Sequence, residues 1–299
     1  MEFKKLSVKL SEVQSIINCK LVGDDILLDG LNLSNRDIIA DSVLSYAGTY
    51  QFFKIAARNP KVKALVINEA TFSQIKEEER SRFSLLVCES PEWAFYEIFA
   101  NLVKNHKFPE YDFETNLNGA IIGKGSIIEK GVIFGRNVKV GYNTVICSGT
   151  IIGDDVTIGN NCIIGGNGFQ LIRDDKGVNR DIPHVGRLKI GNRVTIGDVV
   201  TIARSLFEDY TIIGDDVKTD NHVHIAHNCI VGNNCVLTAN VTLFGSCELE
   251  ENVWLAPSSS IMNKVKVGKN SFICASSLVI TNVRPGWKMF GNPAHKIEN

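Results

Sequence analysis

Residues 213–249 read IGDDVKTDNHVHIAHNCIVGNNCVLTANVTLFGSCEL. An aliphatic side chain returns at every sixth position: Ile213, Ile225, Val231, Leu237, Leu243 and Leu249, with Thr219 alone breaking the class. The period continues through Leu255, Ile261, Val267, Ile273 and Val279. Four residues after each of these stands a small or β-branched side chain, such as Val217, Val223, Cys229, Cys235, Val241 and Cys247. An α-helix does not keep a period of six, because 3.6 does not divide it. A strand does, because six is even and returns every repeat to the same face. Position i+4 and the next repeat's position i differ by two, so both point inward. The pattern predicts a hexapeptide β-solenoid.

The same register appears upstream, at Ile122, Ile128, Phe134, Val140, Ile146, Ile152, Ile158 and Ile164, then at Ile190, Ile196 and Ile202. Glycine often follows the inward residue, as at Gly141, Gly197 and Gly232. There a tight corner is expected to need backbone freedom. The pattern over 117–282 resembles the left-handed β-helix family, in which three hexapeptides make one triangular coil of eighteen residues. Two interruptions, 166–187 and 203–210, are expected to emerge as loops, often on a binding face. The longer one carries Phe169 and His184.

The chain has 299 residues, 44% hydrophobic and 22% charged. That is enough for two domains. The net charge is −1 and no Lys/Arg run occurs, so nothing points to nucleic acid. No apolar run reaches the roughly 18 residues of a membrane span. The start MEFKKLSVKLSE has no apolar core of a secretory signal. A cytoplasmic location is expected. Of the eight cysteines, Cys162, Cys229, Cys235 and Cys247 occupy inward i+4 slots and no CxxC occurs. Free thiols in a reducing compartment are expected, and no metal.

Residues 1–104 have a different texture. A helix is predicted at 10–18 with Ser11 at its cap, strands at 27–33, 64–67 and 83–88, and an amphipathic helix at 70–80. Pro91 opens another helix through about residue 103. Such alternation predicts a small α/β domain. Residues 105–116 read as a linker and 283–299 as a short tail. The fold class expected is therefore mostly β: a left-handed parallel β-helix over 117–282 behind a small N-terminal α/β domain.

The densest polar cluster is Asp220-Asn221-His222-Val223-His224-Ile225-Ala226-His227-Asn228, which holds three of the six histidines. His227 lies two past inward Ile225, at a corner where a side chain can project outward. Eighteen residues further is Gly245, so the two stack on adjacent coils about 4.8 Å apart. A histidine beside a glycine with an open N–H suits a general base paired with an oxyanion donor.

The segment 218–228 resembles the K-I-D-N-x-V-x-I-A-H-N motif of the UDP-3-O-acylglucosamine N-acyltransferase family of lipid A synthesis. Gly168-Phe169 and Ile182-Pro183-His184-Val185-Gly186-Arg187 are similar to that family's insertion loop. Residues 1–104 are similar to its uridine-binding domain. The resemblance aligns the family's catalytic base with His227 and its oxyanion glycine with Gly245. It implies a homotrimer with sites at subunit interfaces. Tyr50 persists from the family's nucleotide-contacting pattern, beside Tyr46, Phe52 and Phe53. Tyr50, Phe169, Asp220, Asn221 and Asn228 are expected to bind substrate, and Asn228 or Asp220 to orient the imidazole.

The chain departs from the family at Ala203-Arg204-Ser205 and at Lys264, which stands where the family has a second histidine. Its Gly291-Asn292-Pro293-Ala294 resembles the endings of CoA-dependent acyltransferases. The activity implied is N-acyl transfer from a thioester to the amino group of a nucleotide-linked amino sugar, for a cell-surface glycan. Acyl-CoA is the expected co-substrate, with no permanently bound cofactor. The alternative is the lipid A enzyme itself, with acyl carrier protein as donor. A zinc enzyme would need a third histidine beside His222 and His227, from His184 or His224. A non-catalytic scaffold would need no histidine cluster.

Overall fold

A computed structural model describes residues 6–36, 38–174 and 176–297. They form two compact units. One runs to Glu110 and includes Phe169–Val185 and Phe207–Asp209. The other comprises Tyr111–Gly168, Gly186–Leu206 and the chain from Tyr210 onward.

The second unit is the solenoid. Its two- to four-residue strands stack into three parallel sheets of seven, ten and eight strands, the last strand of the ten being antiparallel. These are the three walls of a left-handed parallel β-helix. The step between partners is 18 residues where coils are regular, as in Ile133↔Ile151 and Ile230↔Glu248. It rises to 38 at Ile151↔Lys189 and to 23 at Lys189↔Ile212, where the two interruptions leave the wall. Both predicted inward positions are buried: Ile213, Ile225, Val231, Leu237 and Leu243, with Val217, Cys229, Cys235 and Val241, are at most 1% exposed. Each such side chain contributes about 1.5–3 kcal/mol when fully buried.

The corners differ from expectation in one respect. Gly141, Gly197 and Gly232 do not take a left-handed backbone. They are needed because the coils approach too closely for a Cβ: one on Gly141 would lie 2.6 Å from the Gly159 carbonyl carbon. The left-handed residue is two places further on. It is mostly Asn, Asp or Ser, as at Asn143, Asn161, Asp216, Asn234 and Ser246, with φ near +60°. Asn and Asp tolerate this conformation because their short polar side chains bond locally. The stretch read as a tail continues the wall. Strand Lys288–Phe290 pairs with Phe272–Ile273 and then with His295–Ile297. Within the predicted linker, residues from Tyr111 on already belong to the solenoid: the Ser148 hydroxyl bonds the Tyr111 carbonyl and the Gly131 N–H bonds that of Phe113.

The first unit is built on a five-stranded sheet ordered Lys20–Val22, Ser84–Val87, Val62–Ile67, Val43–Ala47, Gly30–Leu31. Only the first strand is antiparallel to its neighbour. The sequence reading missed Val43–Ala47 and the helix Tyr50–Ala56 that follows it. Four of the five residues of that strand are buried, so it has no alternation to read. Ser11 is not the helix cap. Helix Leu10–Gln14 starts from Lys9, whose N–H bonds Glu12, while Ser11 bonds Asp25. The predicted helix at 70–80 is two, Glu69–Gln74 and Glu77–Arg80. Ile75 breaks it by turning extended to bury its side chain. Among the described residues no helix is long and apolar enough to cross a membrane.

The central residues of both interruptions belong to this first unit rather than standing as loops of the solenoid. Leu171–Arg173 and Asn179–Asp181 form a hairpin. Phe207 is fully buried, its ring centroid 4.9 Å from Phe99, 5.7 Å from Phe95 and 6.3 Å from Tyr96. Beside it, the half-buried Glu208 carboxyl accepts the Leu31 N–H, and desolvation pushes its pKa up to about 8. Phe207→Ala is expected to destabilise this unit by about 3–5 kcal/mol, the usual range for a buried Phe. Urea denaturation followed by a probe in residues 1–110 would measure it, and a loss below about 1 kcal/mol would contradict the packing role.

Candidate active site

The solenoid turns a corner at Ala226–Asn228, after strand His224–Ile225, and the same corner of the next coil is Phe244–Ser246. The Ser246 N–H donates to the His227 carbonyl at 2.9 Å, and the Phe244 N–H donates to the Ile261 carbonyl. Between them lies Gly245. A Cβ there would sit 2.9 Å from both Cε1 and Nε2 of His227, so the imidazole rests against the bare glycine backbone. The side chain does not project into solvent as expected. His227 is only 8% exposed, folded into the groove that Gly245 opens.

Asn228 organises this corner. Its φ is +61°, and its N–H donates to the Thr211 hydroxyl at 2.8 Å. Its Nδ2 donates to the Ser205 hydroxyl at 2.6 Å, and its Oδ1 accepts the Leu206 N–H at 3.1 Å. The backbone N–H of Leu206 can only donate, so this bond assigns which end of the amide is oxygen. The same Oδ1 lies 3.0 Å from His227 Nδ1. Nδ1 then donates to that oxygen, and in the neutral form of the ring the lone pair falls at Nε2, the atom beside Gly245. Of the two orienting residues the sequence left open, the structure places Asn228 on the ring.

The sequence reading gave Ser205, Leu206 and Thr211 no role at this corner. Ser205 stands 23 residues before Asn228, outside the eighteen-residue rule. Adding the five extra residues of the second interruption to the coil length would have found it.

The other named residues separate. Asp220, Asn221 and His222 occupy the preceding corner, one strand away. There Asn221 Oδ1 accepts the Asp198 N–H at 2.7 Å and Asp220 accepts the Asn221 N–H, which braces the turn. His224 stands on the wall between the two corners, Nδ1 2.7 Å from the Thr201 hydroxyl, and burial holds its pKa below the ordinary value. The cluster that is continuous in sequence is thus divided between two corners and a wall. Among the described residues no three His, Cys, Asp or Glu side chains are grouped as a metal site requires.

Tyr50 and Phe169 belong to the first unit. Tyr50 opens its helix at the rim of a cleft of about 600 Å³ lined by Gly48, Thr49, Phe52, Lys54, Asn68 and Gln74, among others. Its hydroxyl reaches Glu79 at 3.4 Å, and its ring stacks on Phe53 at 6.0 Å. The aromatic cluster around it divides: Phe53 is core and Phe52 is exposed. Phe169 is 79% exposed.

Fold and repeat together define a left-handed, hexapeptide-repeat β-helix protein. Residues 210–245, which include His227 and Gly245, match the family model of the bacterial transferase hexapeptide (six repeats). Over 116 residues the chain is 39% identical to a protein of Methylobacterium nodulans named UDP-3-O-acylglucosamine N-acyltransferase; the match covers 39% of this chain and 33% of that one. Over 128 residues it is 35% identical to an Arabidopsis thaliana protein named a probable mitochondrial UDP-3-O-acylglucosamine N-acyltransferase 2, covering 43% and 42%. The chain therefore spans about a third of the length of the first of these relatives. A solved LpxA from Acinetobacter baumannii aligns with a TM-score of 0.51 at 25% identity, over 61% of this chain and 73% of that one. A UDP-N-acetylglucosamine acyltransferase from Bacteroides fragilis shares the fold with a TM-score of 0.54 at 21% identity, over 62% and 70%.

Proposed function

We propose that this protein is an N-acyltransferase that moves an acyl group from a thioester to the amino group of a UDP-linked amino sugar. The observation that carries the reading is the Asn228–His227–Gly245 corner, with an imidazole lone pair at Nε2 held against an open glycine backbone. A thioester is already activated, so no covalent intermediate is needed. The neutral amine attacks the thioester carbonyl while His227 Nε2 takes its proton. The Gly245 N–H donates to the oxyanion of the tetrahedral adduct. Collapse expels the thiolate, which recovers a proton from the imidazolium.

The names of the relatives favour a UDP-3-O-acylglucosamine acceptor over the broader class of nucleotide-linked amino sugars. The cleft at Tyr50 is the proposed seat of the nucleotide, with an aromatic ring at its rim to face a base. The donor proposed is acyl-CoA, on the strength of the Gly291–Ala294 motif. A panel of UDP- and dTDP-amino sugars against short and long acyl-CoAs and a 3-hydroxyacyl carrier protein tests these together. Turnover is expected with a UDP-amino sugar and acyl-CoA. Turnover with the carrier protein far above that with the matching acyl-CoA would overturn the donor, and silence with every amine would overturn the function.

A homotrimer belongs to the same proposal. Sedimentation equilibrium is expected to give three chains per particle; a stable, active monomer would exclude it.

A further inference from the structure

Strand Lys20–Val22 is the edge of the N-terminal sheet and runs antiparallel to Ser84–Val87. Lys20 stands opposite Val87, Leu21 opposite Leu86 and Val22 opposite Leu85. One further step of that register puts Cys19 opposite Cys88. The ladder itself ends at Lys20 and Val87. Just beyond it the Cys88 N–H turns to the other side of the sheet, donating to the Ile67 carbonyl at 2.9 Å, and the Cys19 carbonyl accepts from Gln14 Nε2 at 3.1 Å, so the two cysteines stand where a pair without mutual hydrogen bonds would. Directly opposed residues of an antiparallel pair project to the same face. Their Cα atoms are about 4.5 or 5.5 Å apart, inside the roughly 4.4–6.8 Å that a disulfide spans.

Both thiols are half-buried, open enough for a small oxidant to reach. Burial pushes the Cys19 thiol up to about 11, with Cys88 adding to the shift, and burial also raises the Cys88 thiol, so the attacking thiolate is a minor species at neutral pH. The solenoid offers a contrasting pair. Cys229 and Cys247 are one coil apart, but both are at most 1% exposed within the core. Cys162 and Cys235 are as deeply buried.

We infer that Cys19 and Cys88 form a reversible disulfide that staples the edge strand of the N-terminal sheet to its neighbour. With a peroxide as oxidant, one thiolate attacks an oxygen, the O–O bond breaks and a sulfenic acid forms as the first water leaves. The second thiol attacks the sulfenic sulfur, the S–S bond forms and a second water leaves. Two thiols give up two electrons and two protons, and the peroxide is reduced to two waters. A dithiol reductant reverses the reaction. The bond closes the chain from residue 19 to 88 and pins a strand that has a partner on only one side.

The test uses the full-length reduced protein, exposed to hydrogen peroxide or oxidised glutathione, then alkylated under denaturing conditions and mapped by peptide mass. The thiol count is expected to fall from eight to six. The loss of two hydrogens should appear in one peptide pair containing Cys19 and Cys88, and dithiothreitol should restore all eight. Cys19→Ser and Cys88→Ser should each abolish the change, while Cys229→Ser should leave it intact. A disulfide mapped elsewhere, only a glutathione adduct or sulfinic acid at either residue, or eight unchanged thiols would overturn the inference. The wild-type map decides the matter even if a variant fails to fold.

Discussion

His227→Ala is expected to lower kcat by about 10²–10⁴-fold, the range for losing a general base. KM should change little, because the proton moves in the transition state. The burial of the ring alters what must be controlled. A corner side chain in solvent could be removed at little cost, within about 0.5 kcal/mol. The ring of His227, 8% exposed and packed on Gly245, leaves a space behind. A loss of about 1–2 kcal/mol in stability is expected, in the ordinary range for point changes. Thermal unfolding should therefore accompany the kinetics. The same space allows imidazole added to the assay to restore part of the rate. His222→Ala and His224→Ala should be milder, since one lies on another corner and the other on the wall. If His227→Ala kept more than roughly a tenth of wild-type kcat at full saturation, the base would have to be sought elsewhere.

Gly245→Ala is expected to be nearly as damaging, for a reason that can be separated from backbone strain. Gly245 is not among the residues of positive φ, so alanine is acceptable to its backbone. Its Cβ, however, would lie 2.9 Å from Nε2 and Cε1 of His227. The imidazole cannot simply swing aside, because Nδ1 is tied to Asn228 Oδ1 and that amide is held by Leu206 and Ser205. The methyl group would displace the lone pair and cover the N–H proposed for the oxyanion. Losing one such donor typically costs about 10²–10³ in kcat. The fall should be in kcat, with the solenoid still folded by circular dichroism. A Gly245→Ala enzyme within about threefold of wild type, well short of the loss expected for a missing donor, would remove Gly245 from the mechanism.

The two changes also test each other. His227 and Gly245 are in contact, so their effects should not add. The double variant is expected to be close to His227→Ala alone, because once the base is gone there is no ring left to displace.

What could be read before the structure was the repeat and everything that follows from it by counting. The period of six placed each inward side chain, and the coil of eighteen stacked Gly245 on His227. Counting works because a solenoid's contacts are made between residues at fixed separations. It fails where that separation changes. The step of 23 across the second interruption hid Ser205 and Leu206, the groups that orient Asn228. It also fails for direction. Asp220 to Asn228 are neighbours in the chain, yet a coil that turns at each corner sends Asn221 to brace one turn and His227 to another. In the first unit no period exists, and the buried run Val43–Ala47 gave no alternation to read.

The sequence by itself determined the solenoid, its core and the pairing of one histidine with one glycine, because period and register are local properties of the chain. Only the tertiary structure decided that His227 is buried rather than projecting. Only it decided that the lone pair is at Nε2, and that Phe207 is core of the N-terminal unit rather than part of a loop. Each of these depends on groups brought together from distant positions: a missing Cβ one coil away, an amide anchored 23 residues upstream, and aromatic rings more than a hundred residues earlier. No spacing rule within one segment encodes them.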